Sequence, residues 1–240
     1  MIPQSVTIGN NLYTGAGNDN VTINKAPGFA GLLGLYEVDV NGQKQLMTKS
    51  QLESTNFHLG SGNDTLVNNT NVGVSAYGGT GDDPLVGGSG ADKLHGQAGN
   101  DLIVGRDGND SISGGSGHDI LSGGNGRDSI SGGSGHDFIS GGNGSDSIHA
   151  GSGNDAVFAG AGNDYVNAGS GDDFVNAGSG NDVVRGGAGN DWLEGGSGHD
   201  AIFGNSGHDV LLGQAGNDLL VGGPGFDAKI GGPGFDWLLP

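Results

Sequence analysis

Aspartate returns at every ninth position over the last two-thirds of the chain: Asp83, Asp92, Asp101, Asp110, Asp119, Asp128, Asp137, Asp146, Asp155, Asp164, Asp173, Asp182, Asp191, Asp200, Asp209, Asp218, Asp227 and Asp236. A catalytic site needs two carboxylates in different environments. Eighteen equivalent ones, all hard oxygen donors, suit a row of cation ligands instead. Two more, Asp19 and Asp64, sit in looser copies of the same surroundings, Thr14 to Thr22 and Leu59 to Val67. Each of the eighteen has Gly two residues before it, from Gly81 to Gly234. Two residues after it stands Leu, Ile or Val in seventeen cases, and Lys229 is the exception.

The elements that position these carboxylates follow from the repeat. Eighteen units of Gly-Gly-x-Gly-x-Asp-x-U-x run from Gly78 to Leu239 without insertion or deletion, and Gly114 to Ser122 is a clean copy. Such a period implies a stacked-repeat architecture. Gly at positions one, two and four permits positive φ, so a six-residue turn winds tightly and turns its carbonyls inward. Asp at position six joins those carbonyls, and an all-oxygen set of several ligands suits multiple Ca²⁺ ions better than Mg²⁺. The x-U-x triplet reads as a three-residue strand with one side chain pointing inward. The expected fold is all-β: a parallel β-roll or β-helix solenoid with two nine-residue units per coil. Coils then stack every eighteen residues, ~4.8 Å apart. Asp119 lies over Asp137, and an ion between them answers their repulsion. Eighteen units leave at most sixteen such two-coil positions. One aliphatic per nine residues is a thin core against the cost of ordering a glycine-rich backbone. The chain is therefore expected to be largely disordered without calcium.

Residues 1–77 read as degenerate coils carrying an insertion at 23–58, and residues 78–240 as the uniform array with a C-terminal cap. Val6 and Ile8 alternate as in a short strand. Within the insertion, Tyr36 to Val40 and Gln43 to Met47 flank Asn41-Gly42, a strong hairpin signal. Glu37, Asp39, Asn41 and Gly42 also give part of an EF-hand spacing, but Thr48 stands where its bidentate Glu belongs, so the hairpin reading is preferred. From Asn68 to Tyr77 the turn residues vanish, and this half-coil is expected to stack without an ion. The prolines, Phe226, Phe235 and Lys229 mark the last two units as terminal coils.

The totals exclude several classes. The chain has 27 acidic and 8 basic residues, a net charge of −19 and no cysteine. That balance opposes nucleic acid and anionic lipid, and thiolate metal sites are excluded. No basic and apolar leader opens the sequence, and no run approaches a membrane span. His-Glu-x-x-His, Gly-x-Ser-x-Gly and the phosphate-binding Gly-x-x-x-x-Gly-Lys are all missing, so no catalysis is expected.

Four histidines occupy position five: His118, His136, His199 and His208. His118 and His136 share an edge one coil apart, a spacing open to a transition metal. The simpler expectation is that they replace Asn, offering a backbone carbonyl while the ring meets solvent. Position seven of odd-numbered units is apolar throughout, including Leu102, Ile120, Phe138, Phe174 and Trp192. An exposed apolar stripe of that length marks a contact surface. It is expected to be covered by the segment Phe29 to Met47, or by self-association or a partner protein.

The unit resembles the glycine- and aspartate-rich nonapeptide of the repeats-in-toxin (RTX, haemolysin-type) family. The resemblance implies a β-roll with calcium held between turns by the position-six Asp and turn carbonyls. It further implies secretion from Gram-negative bacteria by type I export, with folding triggered by external calcium. In that family the repeats usually accompany a toxin, protease, lipase, epimerase or adhesin part, which this chain has no room for. It also lacks the family's longer C-terminal export segment, and Asp236 to Leu239 only faintly resembles an export terminus. The leading reading is a non-enzymatic calcium-binding module. The alternatives are the repeat region of a larger toxin, hydrolase or epimerase, and a calcium-dependent adhesin segment binding carbohydrate. Ice binding is disfavoured because Thr is nearly absent from the repeats.

Overall fold

The computed structural model describes residues 6–8 and 10–240. Among the described residues the chain forms two sheets of thirteen strands, wound as a flattened parallel solenoid. From Ser75–Thr80 onward successive strands alternate between the sheets, and each pairs with the strand eighteen residues on. Ser111–Ser116 lies between Lys93–Ala98 and Ser129–Ser134 in one sheet. Ile120–Asn125 lies between Leu102–Asp107 and Phe138–Asn143 in the other. Inward-facing Ile112 stands over Ile130, and Leu121 over Ile139.

The strands are longer than the triplet suggests. Most run for six residues, joining positions seven to nine of one unit to positions one to three of the next, as in Ser111–Ser116. Position one is extended, so the ladder continues through it. Positive φ is confined to positions two and four, as at Gly115 (+123°) and Gly117 (+133°). Glycine at position one answers a lack of space instead: a Cβ on Gly114 would overlap the carboxylate of Asp119 and stand 2.8 Å from the carbonyl oxygen of Gly132. Position two is the one place where the array puts side chains at positive φ, at Gln97, Arg106, Asn205 and Gln214.

Because six residues alternate in and out, each strand sends two side chains inward, from position eight and from the following position one. The core is thus two columns of aliphatics beside two columns of glycine. Residues 150–184 depart from this in a compensated way. The four units with Ala at position one, Ala150, Ala159, Ala168 and Ala177, are the four with Val at position eight, Val157, Val166, Val175 and Val184. All eight are fully buried. Within a unit the two positions flank one turn on facing strands, so a methyl added on one wall is matched by one removed from the other. Interiors at close-packed density require that.

The amino-terminal coils follow the same path. Asn20–Lys25 pairs in parallel with Thr65–Asn68, with Val21 over Leu66. Their offset is 45 rather than eighteen because the insertion lies between them. Tyr36–Val40 and Gln43–Met47 form the expected hairpin, which adds antiparallel to Asn20–Lys25 and closes that sheet's edge. Gly42 N–H donates to Asp39 Oδ1 (2.7 Å), and Lys44 pairs with Glu37 (2.8 Å), so the EF-hand-like carboxylates serve the hairpin. Two short helices, Gly28–Leu32 and Lys49–Glu53, flank it. Val6–Ile8 is a strand, but it folds back antiparallel on Asn11–Tyr13 and edges the other sheet.

The methyl exchange is testable by a double-mutant cycle. Val175→Ile alone is expected to overpack the core and cost about 1–3 kcal/mol in chemical denaturation. Adding Ala168→Gly is expected to restore most of that loss, whereas strictly additive losses would show that the two positions do not share a volume.

Candidate metal centres

The position-six aspartates lie along the two edges of the solenoid, where the chain turns from one sheet to the other. Along one edge the backbone N–H of each donates to Oδ1 of the next: Asp101 to Asp119 (2.8 Å), Asp119 to Asp137 (2.9 Å), Asp137 to Asp155 (2.8 Å). The other edge repeats this from Asp92 to Asp110 (2.8 Å) as far as Asp218 to Asp236 (3.0 Å). Asp19 and Asp64 head the first edge, with Asp19 N–H on Asp64 Oδ1 (2.7 Å) and Asp64 N–H on Asp83 Oδ1 (2.7 Å). The carbonyl oxygens are also used, since Phe138 N–H donates to that of Asp119 (2.8 Å).

One atom of each residue is left over. Oδ2 is buried without a hydrogen-bond partner in seventeen of the twenty expected residues: Asp19, Asp64, Asp83 and the rest through Asp218, with Asp92 excepted. A buried, unpaired carboxylate oxygen is expensive, and a row of them cannot all be ionised without a counter-charge. Burial is the leading cause that pushes the position-six carboxyls from Asp64 to Asp209 up. Asp83, Asp101, Asp119, Asp128, Asp164 and Asp191 rise to about 6, and Asp110, Asp173 and Asp182 to about 7. The N–H bond from the coil before pulls each back down, and most also feel a neighbouring carboxylate that raises them. Among the described residues no three acidic or histidine side chains converge on one point. Any ion must therefore complete its shell with backbone carbonyls, and those of positions two and four run along each edge against the next coil. Carboxylate plus carbonyl oxygens is a donor set that fits calcium.

Three of the twenty residues differ. Both oxygens of Asp92 already accept bonds within the protein, from Val74 N–H (2.7 Å) and Gly88 N–H (2.7 Å). Asp227 faces Lys229 at 4.0 Å. Asp236 lies in the last coil, where the inward Leu238 is 48% exposed.

Position five has a role that its sequence does not reveal. Its side chain accepts the N–H of position five one coil on. Asn100 Oδ1 takes His118 N–H (2.8 Å), His118 Nδ1 takes His136 N–H (2.7 Å), and His136 Nδ1 takes Asn154 N–H (2.7 Å). His199 and His208 do the same. The rings are therefore acceptors in a ladder shared with Asn and Asp, not idle groups in solvent. With Nδ1 engaged, the neutral ring carries its proton on Nε2, which leaves no lone pair for a transition metal.

The chain matches the model of the RTX calcium-binding nonapeptide repeat (4 copies) in eight overlapping stretches, from residues 77–112 to residues 194–228, without a gap between. The chain belongs to that family. No curated protein matches it in a search. Calcium binding by the repeats is thus a family property, and RTX coils of this kind supply the frame around each Oδ2.

Two outward features escaped the sequence reading. Tyr13, His58, Tyr77 and His95, at position nine of four successive coils, stack with centroids 4.7–4.9 Å apart. Phe158, also at position nine, packs between Phe138 (5.4 Å) and Phe174 (5.6 Å) and widens the apolar stripe. Leu102, Ile120, Phe138 and Trp192 of that stripe are exposed. The inserted segment does not cover them. It extends the same sheet sideways as edge strands, and its own Phe29, Leu32, Leu33 and Leu46 stay exposed.

The raised carboxyl values set a pH dependence. The metal-free fold holds protons up to about 6 or 7 that the unfolded chain, at 3.8, has lost. Its stability is full below the unfolded value and falls as pH rises through the folded one. In chelator, circular dichroism is expected to show more β-structure at pH 4.5 than at pH 8. Calcium affinity should move the opposite way, strengthening with pH as the ligands deprotonate.

Proposed function

We propose that this chain is a non-enzymatic calcium-binding module that folds on ion binding outside the cell. The observation that carries it is the row of buried Oδ2 atoms without partners, one in almost every turn. Ions would be held between successive coils by the position-six carboxylates and the carbonyls of the turn, with residues 78–240 as the ion-dependent array and residues 1–77 as its amino-terminal part. A chain that stays open where calcium is scarce and closes where it is plentiful suits secretion, and the family points to type I export from a Gram-negative bacterium. The repeats supply ligands and frame, and no residue set in them suits catalysis. The same module would serve equally as the repeat region of a larger toxin, hydrolase or epimerase, or as part of an adhesin.

Calcium titration by calorimetry, with circular dichroism followed in the same samples, tests this. Binding and gain of β-structure are expected to coincide, and chelator at pH 8 should reverse both. Asp137→Ala removes an Oδ2 and the acceptor of Asp119 N–H, a charge-assisted bond of about 1.5–3 kcal/mol. It should raise the calcium midpoint roughly tenfold or more, at about 1.4 kcal/mol per decade. Full β-structure in chelator at pH 8 would refute the proposal.

The apolar stripe Leu102, Ile120, Phe138, Phe174 and Trp192 supports a second element, a protein contact surface used first for self-association. Sedimentation of the calcium-loaded chain should show an assembly that Phe138→Ser with Phe174→Ser dissolves. A monomer unchanged by the substitutions would remove self-association from the proposal.

A further inference from the structure

The turn around Asp92 departs from all the other turns of the array. Gly88 and Gly90 stand at positions two and four of that unit, yet neither has the positive φ found at those positions in the other seventeen. The Asp92 carboxylate is the one between Asp64 and Asp218 whose Oδ2 has a partner, the N–H of Gly88. The other oxygen, Oδ1, is met by Val74 N–H (2.7 Å) and by a side chain from the irregular half-coil. Asn68, fully buried, points its amide at the gap, with Nδ2 2.8 Å from the carbonyl oxygen of Val72 and 3.4 Å from Asp92 Oδ1. Its Oδ1 is held by Thr70 N–H (3.1 Å) and the Thr70 hydroxyl (2.8 Å), so the amide has one orientation. With Gly88 N–H on Oδ2 and this NH₂ group beside Oδ1, the Asp92 carboxylate keeps no unpaired oxygen for an ion to satisfy.

The far end of the opposite edge shows a second case. Lys229 occupies position eight, where every other unit has an aliphatic residue. Its side chain is 18% exposed, and its ammonium lies 4.0 Å from Asp227 Oδ2. It also lies 2.6 Å from where a Cβ on Gly222 would be. A fixed positive charge thus sits beside the Oδ2 that would otherwise need an ion.

We propose that the ion ladders are closed by the chain's own donors, the Gly88 N–H with the Asn68 amide at Asp92 and the Lys229 ammonium at Asp227, and that the amino-terminal closure makes residues 20–77, where Asp64 alone keeps a buried unpaired Oδ2, a metal-independent seed on which the calcium-bound coils stack. Core density supports the seed. Residues 10–77 bury twelve apolar side chains larger than Ala, among them Phe57, Leu59 and Leu52, while the much longer span 78–240 buries sixteen. The antiparallel hairpin also gives this part local pairing that needs no closed coil. The inference rests on the calcium-dependent folding proposed above and names where that dependence stops.

Hydrogen exchange of the full chain, read by mass spectrometry at pH 8 with chelator and with calcium, tests both in one experiment. In chelator, amides of 20–25, 36–47 and 56–68 should stay protected while those of 105–221 exchange freely; calcium should protect the latter. Exchange everywhere in chelator would overturn the seed and leave calcium-dependent folding intact. Protection everywhere in chelator would overturn calcium-dependent folding itself. Asn68→Asp trades the amide donor for a ligand. It should abolish the protection of 56–68 in chelator and regain it with calcium. Loss under both conditions would mean that Asn68 only braces the half-coil, and no loss would mean that it does not close the site; either overturns its role as a surrogate. At the other end, Lys229→Met should raise the calcium bound per chain by one, and an unchanged count would overturn the closure at Asp227.

Discussion

A carboxylate oxygen buried between two coils, with nothing to accept from, is the constraint around which this molecule is built. Its partner oxygen is already committed to the N–H of the coil before, which fixes the side chain and aims Oδ2 into the gap. Repeated along both edges, this arrangement calls for counter-charge inside the fold in a way that a surface salt bridge never does. It also accounts for the charge. Twenty of the 27 acidic residues are the position-six aspartates, so most of the negative charge lies inside the edges and not on a solvated face.

The other columns are arranged around that gap. Position one stays small because the carboxylate occupies the space where its side chain would stand. Positions two and four take positive φ, turning the chain within the few residues available. The Asn, Asp and His acceptors of position five tie successive turns together outside the row of aspartates. The aliphatic columns hold the two sheets at one separation, and the Ala-for-Gly, Val-for-Ile exchange in 150–184 shows how little slack that separation has. Regular coils therefore share one geometry, and departures gather at the ends: Asn68 and the half-coil at one, Lys229 and the exposed Leu238 at the other.

The two faces of the solenoid differ in the side chains they turn outward. One sheet shows Leu102, Ile120, Phe138, Phe158 and Trp192 to solvent, and the other a Tyr-His-Tyr-His stack followed by serines. Burial lowers the pKa of His58 and His95 in that stack. The difference between the faces is written with an eighteen-residue period, and nine-residue inspection blurs it.

The sequence by itself determined the period, the coil of two units, the stacking offset and the row of aspartates along each edge, because each follows from residues at fixed spacing on a chain with no room to deviate. The hairpin was legible from Asn41-Gly42 in the same way, and the helix after it had a readable signal in Thr48 and Gln51, whose capping box closes it. Three-dimensional packing decided the rest. That position one is extended, that His118 Nδ1 accepts a bond from the next coil, that the insertion edges a sheet instead of covering the stripe, and that Asp92 is already satisfied, by Gly88 in its own turn and Val74 a coil away, all depend on how the coils come together. Local pattern names the ligand types, but whether an oxygen is left without a partner is settled only when every coil above and below it is in place.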